Sequence, residues 1–281
     1  MKDPPPTERR PTTRRPVVRY TAGQQNTSKG DDIAVEEPLD IRLSSDPLVT
    51  LMRTPGEDHF LTAGFLFSEG IIRSLADLGK VAHCGRPHDP GYGNLVDVAP
   101  GPGSAFAPEH SERRSIVSSA CGVCGRQTIE DLLAQTAPLP AGPFLTPATL
   151  LGSQRQLEAE QLAFGRTGAM HAALALDANG QAIAWSEDVG RHNAVDKVVG
   201  KLLYTGALGP SEQRAKLLAV SGRSCFEIVQ KAALARIAIV ISVGAPTSLA
   251  IDLAQALELT LIGFARGENF NVYTHAQRIL F

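Results

Sequence analysis

The spacing of apolar and polar positions changes several times along this chain, and each change marks an element. The first alternation begins at Ile33. There I-A-V-E-E-P-L-D-I-R-L carries a proline, the pattern of an edge strand that can spare a backbone N–H. Next, H-F-L-T-A-G-F-L-F-S-E-G-I-I sets Leu61, Phe65 and Leu66 at helical spacing and predicts a helix closed by Gly70. Strand-like V-A-H-C and N-L-V-D-V-A flank the turn-rich R-P-H-D-P-G-Y-G. Glycine and proline crowd residues 100–108 and predict an exposed connection. R-Q-T-I-E-D-L-L reads as a short helix and A-P-L-P-A-G-P as a breaker. P-A-T-L-L-G-S-Q-R-Q-L-E-A-E-Q-L then resumes helical spacing through Leu150, Leu157 and Leu162.

The second half is more regular. M-H-A-A-L-A-L-D-A-N-G-Q-A-I-A-W-S-E-D predicts two strands joined by a tight turn at Ala178, Asn179 and Gly180. After Gly190, Val195, Val198, Val199, Leu202 and Leu203 mark one face of a helix. K-L-L-A-V, the turn S-G-R-S and C-F-E-I-V-Q-K-A-A-L-A form a strand–turn–helix unit, with Ser224 and Glu227 spaced as a capping box. A-R-I-A-I-V-I-S-V followed by G-A-P-T-S-L-A-I-D-L-A-Q-A-L-E repeats that order, and L-T-L-I-G-F-A adds a strand. Nearly continuous apolar strands alternating with helices predict an α/β fold whose sheet, mixed but mostly parallel, is buried by helices on both faces. The expected organisation is a tail over residues 1–30, a smaller N-terminal α+β portion over 31–114 and an α/β domain over 115–281.

Composition narrows the function. A chain of 281 residues, 43% apolar and 20% charged, has the makeup of a globular protein large enough for a substantial core. A net charge of −2 supplies no electrostatic reason for a nucleic-acid or anionic-membrane partner, and 5% aromatic residues make a thin base-stacking surface. No apolar run approaches the ~18 residues of a membrane span. Proline and charge make residues 1–30 an expected disordered extension. Its Arg-Arg pairs lack the apolar stretch of a twin-arginine export signal. Four cysteines are no disulfide framework, and free thiols point to the reducing cytoplasm.

Candidate chemistry sits in the loops, because ligands of open α/β sheets collect where strands end. Four of these turns are polar or glycine-rich: S-E-D-V-G-R-H-N-A-V-D-K, S-G-R-S, V-G-A-P-T-S and F-A-R-G-E-N-F-N-V-Y. Arginine stands beside glycine at Arg191, Arg223 and Arg266. Freed backbone N–H groups with a guanidinium fork can cradle phosphate, although none of the loops matches G-x-x-x-x-G-K-[ST]. His192 and Asp196 are one helical turn apart, so the carboxylate could orient the imidazole or merely form a surface pair. His171 follows a glycine turn that could present it to a cleft.

In S-S-A-C-G-V-C-G, Cys121 and Cys124 lie three apart with glycine on either side. A structural zinc site needs about four ligands, and there is no second C-x-x-C; His83, Cys84, His171 or His192 would have to complete it. A zinc deaminase would need P-C-x-x-C and H-x-E; Ala120 replaces the proline and H-x-E is absent. A thioredoxin-like dithiol and a persulfide carrier both remain open on the residues alone.

Taken in order, C-G-V-C-G, G-A-M-H-A-A, E-D-V-G-R-H-N-A-V-D-K, S-G-R-S-C-F-E, A-P-T-S-L-A and G-F-A-R-G-E-N-F-N-V-Y-T resemble the FdhD family, the formate dehydrogenase accessory sulfurtransferases. The likeness runs from about Ile33 almost to the C-terminus. It implies a cytidine-deaminase-like three-layer α/β/α sandwich. It also implies sulfur relay from a cysteine desulfurase to the bis-molybdopterin guanine dinucleotide cofactor of formate dehydrogenase, in a homodimer, with no permanently bound metal. Cys121 matches the persulfide-carrying position and Cys124 its partner. Phe264, Ala265, Arg266, Gly267, Glu268 and Asn269 match the cofactor-binding segment; Arg191, His192 and Arg223 would help shape the cleft. The cofactor's several phosphates suit the arginine–glycine loops. Two positions depart from the family pattern. Ala169 stands where glycine is frequent, and Cys225 stands where serine is expected, read as a small buried residue at helix position N1.

Overall fold

The computed structural model describes residues 10–85, 92–104, 115–117, 132–133, 136–208 and 214–281. The polar N-terminal stretch expected as a disordered tail is instead a hairpin from Thr12 on. Strands β1 (Thr12–Thr21) and β2 (Gln24–Ala34) pair antiparallel. Their connection has positive φ at Ala22 and Gly23, 48° and 86°, the backbone of a turn that matches strand twist. Arg14 and Arg15 stand opposite Asp32 and Asp31, so opposite charges face each other across the ladder. Arg166 donates to Asp32 at 2.8 Å and ties the hairpin to the body. Residues 1–9 lie outside the described residues.

A five-stranded sheet follows, in the order β5-β6-β3-β4-β7: β3 (Glu37–Leu43), β4 (Asp46–Arg53), β5 (Leu78–His83), β6 (Leu95–Pro100) and β7 (Ser115–Val117). β3 is central rather than an edge. Pro38 is accommodated because it pairs only with Met52 on β4, while the ladder to β6 begins two residues later at Asp40. β7 pairs with β4, so residues 115–117 join this sheet. Helix α1 (Asp58–Ser68) covers the sheet with Leu61 and Leu66, which are buried against Leu39, Ile41, Val96 and Val98. Glu69 caps it and Gly70, at φ 69°, ends it.

The larger sheet has the order β13-β12-β11-β10-β8-β9. Its strands are β8 (His171–Leu176), β9 (Ala182–Asp188), β10 (Leu217–Val220), β11 (Ile239–Ser242), β12 (Thr260–Arg266) and β13 (Asn269–Val272). It is mixed: β10, β11 and β12 are parallel, while β8, β9 and β13 join by antiparallel ladders, so the parallel character is confined to the centre. Every residue of β10 and β11 is buried, as a sheet covered on both faces requires. Helices α4 (Arg191–Thr205), α5 (Phe226–Leu234) and α6 (Ser248–Ala256) pack side by side on one face. Helix α2 (Pro147–Glu160) lies across the other, burying Leu150 and Leu157; Leu162 opens the short helix α3 (Leu162–Thr167) and is exposed.

Helix α1 joins the two halves by crossing α4 at glycine. A Cβ on Gly64 would fall 1.8 Å from the Asp196 carbonyl oxygen, and one on Gly200 would fall 2.0 Å from that of Phe60. The backbones therefore touch where any side chain would hold them apart. Among the described residues, no helix is long and apolar enough to cross a membrane.

Candidate functional site

The predicted loops converge at one edge of the larger sheet. β10, β11 and β12 end there in parallel, and each strand end hydrogen-bonds to its neighbour. Gly244 N–H donates to Gly222 O at 3.0 Å, and Phe264 N–H donates to Gly244 O at 3.1 Å. The glycines allow this closeness. A Cβ on Gly244 would sit 2.9 Å from both Gly222 O and the Arg223 side chain. A Cβ on Gly263 would sit 2.9 Å from Pro246.

α4 delivers Arg191 and His192 to this edge because Asp188 fixes the turn before it. Fully buried, Asp188 accepts from the Gly190 N–H and the Asn193 side chain, each at 2.9 Å. It also accepts from the Thr54 N–H at 3.1 Å and pairs with Lys197 Nζ at 2.7 Å. Four donors on one carboxylate offset its burial and lock the helix start. His171 and the Arg191 side chain flank Gly222, lying 3.3 Å and 3.5 Å from where its Cβ would be. Among the described residues, the Nε of Arg191 is buried without a hydrogen-bond partner.

At the heart of the edge lie His192, Cys225 and Glu227. His192 Nε2 is 3.1 Å from Cys225 Sγ and 3.6 Å from a Glu227 carboxylate oxygen. Burial, with Arg191 and Lys231 nearby, pulls the His192 pKa down to about 4, so the imidazole is neutral near pH 7. Burial and the facing Glu227 carboxylate push the Cys225 thiol up. Burial also pushes Glu227 up. Its hydrogen bonds to the Cys225 thiol and to its own backbone N–H, with the charges of His192 and Lys231, outweigh that and leave it low. Burial, then Arg191, lowers His171 as well.

Three expectations change here. Ser224 and Glu227 form no capping box: Cys225 is the N-cap of α5 and Ser224 Oγ is buried without a partner among the described residues. Glu227 turns to Cys225 and His192 instead. His192 does not use Asp196, whose carboxylate is held by Lys231 at 2.7 and 2.8 Å and by Ser68 at 2.9 Å. Cys225 is partly exposed rather than sealed in the core. Sequence reasoning missed Glu227 as a site residue and Asp188 as the anchor; the acidic residue three before R-H-N was the available signal.

The predicted cofactor segment divides. Phe264 is 46% exposed in a left-handed backbone, φ 55°, a conformation that β-sheet side chains avoid. Ala265 is buried, leaving it only backbone groups to offer. Arg266 donates from Nε to Val243 O at 3.3 Å, beside the Gly244 turn. Gly267 and Glu268 form the tip between β12 and β13, with Arg266 opposite Asn269. Arg223 lies against Gly244, whose carbonyl accepts from the Phe264 N–H, Arg191 lies beside Gly222 and His192 meets Cys225, while Gly267, Glu268 and Asn269 are exposed. Cys121 and Cys124 lie outside the described residues, as does most of the short helix predicted after them.

The strand ends of this α/β sheet thus gather arginines, histidines and a thiol in one place. The FdhD/NarQ family model matches residues 34–280, and the chain belongs to that family. A sulfur carrier protein FdhD of Anaeromyxobacter dehalogenans is 52% identical over 269 residues, 94% of this chain and 93% of the relative. One of Streptomyces coelicolor is 42% identical over 276 residues, 96% of each chain. A solved structure described as a formate dehydrogenase accessory protein, from Desulfotalea psychrophila, superposes with a TM-score of 0.74 at 25% identity. The match covers 96% of this chain and 99% of that one.

Proposed function

We propose that this protein is a sulfur carrier of the cytoplasm that activates formate dehydrogenase by delivering sulfur to its molybdenum cofactor. The convergence of Arg191, Arg223 and Arg266 with the Gly222 and Gly244 turns at one sheet edge carries the reading. Guanidinium groups and close backbone suit the phosphates of a bis-molybdopterin guanine dinucleotide, the substrate that accepts sulfur. The names of the relatives supply the sulfur chemistry, and C-G-V-C-G supplies the thiols.

In this reading the Cys121 thiolate attacks the outer sulfur of a cysteine desulfurase persulfide. The new S–S bond forms on Cys121, and the desulfurase cysteine leaves as a thiolate. Cys124 then attacks Cys121 Sγ and expels hydrosulfide toward the molybdenum. A Cys121–Cys124 disulfide remains for a cellular dithiol to reduce. Phe264 to Asn269 hold the cofactor, with Arg266 on phosphate and Arg191, Arg223 and His192 around it. The working form is a homodimer.

The test is mass spectrometry of the Cys121 peptide after incubation with desulfurase and cysteine. One added sulfur atom on that peptide is the expected result. A Cys121→Ala variant that still activates formate dehydrogenase fully would show that the protein only escorts cofactor. Dithiol turnover of a model disulfide with no sulfur load would make it an oxidoreductase.

A further inference from the structure

His192 comes from one helix start and Cys225 and Glu227 from another, 33 residues further along the chain, yet their donor atoms all lie within 4.8 Å of one another. We propose that these three side chains form a binding site for a zinc ion at the strand-end cleft, with a fourth coordination position left open. The site shares His192 with the proposed cofactor cleft but uses neither relay thiol, so its test does not turn on Cys121 or Cys124, and it departs from the expectation of no permanently bound metal.

Geometry is the first support. Zinc holds sulfur at about 2.3 Å, imidazole nitrogen at about 2.0 Å and carboxylate oxygen at about 2.1 Å in a tetrahedron, so neighbouring donors stand about 3.4–3.6 Å apart. Here Nε2 lies 3.1 Å from Sγ and 3.6 Å from Oε2. A small outward shift of one side chain would admit the ion. Ligand type is the second support. One thiolate, one imidazole and one carboxylate suit a borderline-soft ion, whereas magnesium and calcium call for oxygen donors.

Charge is the third support. On binding, the Cys225 S–H bond breaks, its proton goes to solvent, and thiolate and carboxylate together balance the two positive charges. Imidazole binds through its neutral Nε2 and adds no charge of its own. The Lys231 charge is already held by Asp196 at 2.7 Å. Cys225 and Glu227 are fixed by the N-terminus of α5, and His192 is fixed by the Asp188-locked start of α4. Three ligands with an open fourth position is the arrangement of zinc that meets small ligands rather than zinc that only braces a fold.

Cobalt(II) added to the chelator-treated, reduced full-length protein tests this, because tetrahedral thiolate-bound cobalt has intense visible bands and a near-ultraviolet sulfur-to-metal transition. We expect one cobalt per chain, displaced by zinc. The sulfur band should persist in a Cys121→Ser/Cys124→Ser variant and vanish in Cys225→Ser. Glu227→Gln and His192→Asn should each weaken cobalt binding about 10-fold or more. Circular dichroism and thermal unfolding of each variant separate lost ligation from lost fold. The site is overturned if the sulfur band survives Cys225→Ser, if it disappears in the Cys121→Ser/Cys124→Ser protein, or if folded wild-type protein takes up no more cobalt than His192→Asn.

Discussion

Two successive turns of α4 treat charge in opposite ways. One turn into the helix, Asp196 and Lys197 are almost wholly buried and fully matched: Asp196 with Lys231 and Ser68, Lys197 with Asp188 and the Thr54 carbonyl. At its start, Arg191 has a buried Nε with no partner among the described residues, and His192 is held far below its usual pKa beside a thiol and a carboxylate. The matched turn faces α1 and α5 and holds the two halves of the molecule in register. The mismatched turn faces the strand-end loops. Polar groups that could have been satisfied by the fold and are not are the ones available to a ligand.

The largest effect should come from breaking the matched turn. Burial pushes the Asp196 carboxyl up even against Lys231, so the pair is costly to keep and more costly to halve. Asp196→Ala leaves the Lys231 ammonium buried and unpaired and should destabilise the protein by about 3–5 kcal/mol in denaturant unfolding. Replacing both partners, Asp196→Leu with Lys231→Met, should recover most of that loss. If the double variant is no more stable than the single one, the network does more than balance charge.

The mismatched turn predicts a pH dependence instead. The folded pKa of His192, about 4, lies below the unfolded value of 6.5, so between those limits the unfolded chain binds more protons. Stability therefore falls as pH drops from 6.5 toward 4, by about 3 kcal/mol from this residue, and the penalty is constant below that. Glu227, held low, adds loss in the same direction at the acid end, while Asp196, pushed up, opposes it. The comparison is thus wild type against His192→Gln, unfolded in denaturant with chelator present. The variant should be flatter between pH 5 and 6.5, and parallel curves would contradict the assignment.

Between these in character, though smaller in size, is the helix contact beneath both turns. Gly64→Ala places a methyl group 1.8 Å from the Asp196 carbonyl oxygen, and backbone has to move. Overpacking costs about 1–3 kcal/mol, against about 1 kcal/mol that alanine gains in a helix interior. A net loss of up to about 2 kcal/mol should lower the thermal midpoint by a few degrees. Gly152→Ala on α2 meets nothing nearer than the tip of Arg155, 3.9 Å away, and should raise it instead.

The sequence showed this comparison unevenly. β10, β11 and β12 were legible because continuous apolar runs bounded by glycine turns encode strands buried on both faces. The gathering of Arg191, Arg223 and Arg266 followed from the rule that such turns share one edge. What stayed hidden depends on long-range choices between partners. His192 and Asp196 share a helix face, but Lys231 from α5 takes the carboxylate and Cys225 takes the imidazole. Ser224 and Glu227 have capping-box spacing, yet the helix starts one residue later and the glutamate turns to the cleft. Pro38 suggested an edge, but β6 pairs only beyond it. The N-terminal hairpin was hidden most thoroughly, since its composition is that of a disordered chain. Its two strands share an antiparallel ladder with opposite charges facing across it, and one ion pair reaches it from a residue more than a hundred positions away.

That ion pair gives the smallest predicted effect and a sharp contrast with the buried network. Arg166 and Asp32 meet at 2.8 Å but are 60% and 31% exposed, so water screens them. Asp32→Ala should change global stability by less than about 1 kcal/mol. Its consequence should be local: Asp32 is also the residue opposite Arg14, and without it β1 and β2 lose both a cross-strand charge and their tether to α3. Amides of Thr12–Ala34 should exchange with solvent faster while those of β10 and β11 stay unchanged. Exchanging the two charges, Arg166→Asp with Asp32→Arg, should restore the tether but set a second guanidinium against Arg14, so protection should return only in part. Full protection in the Asp32→Ala protein would mean that backbone pairing alone holds the hairpin, and that charge matters only where α4 buries it.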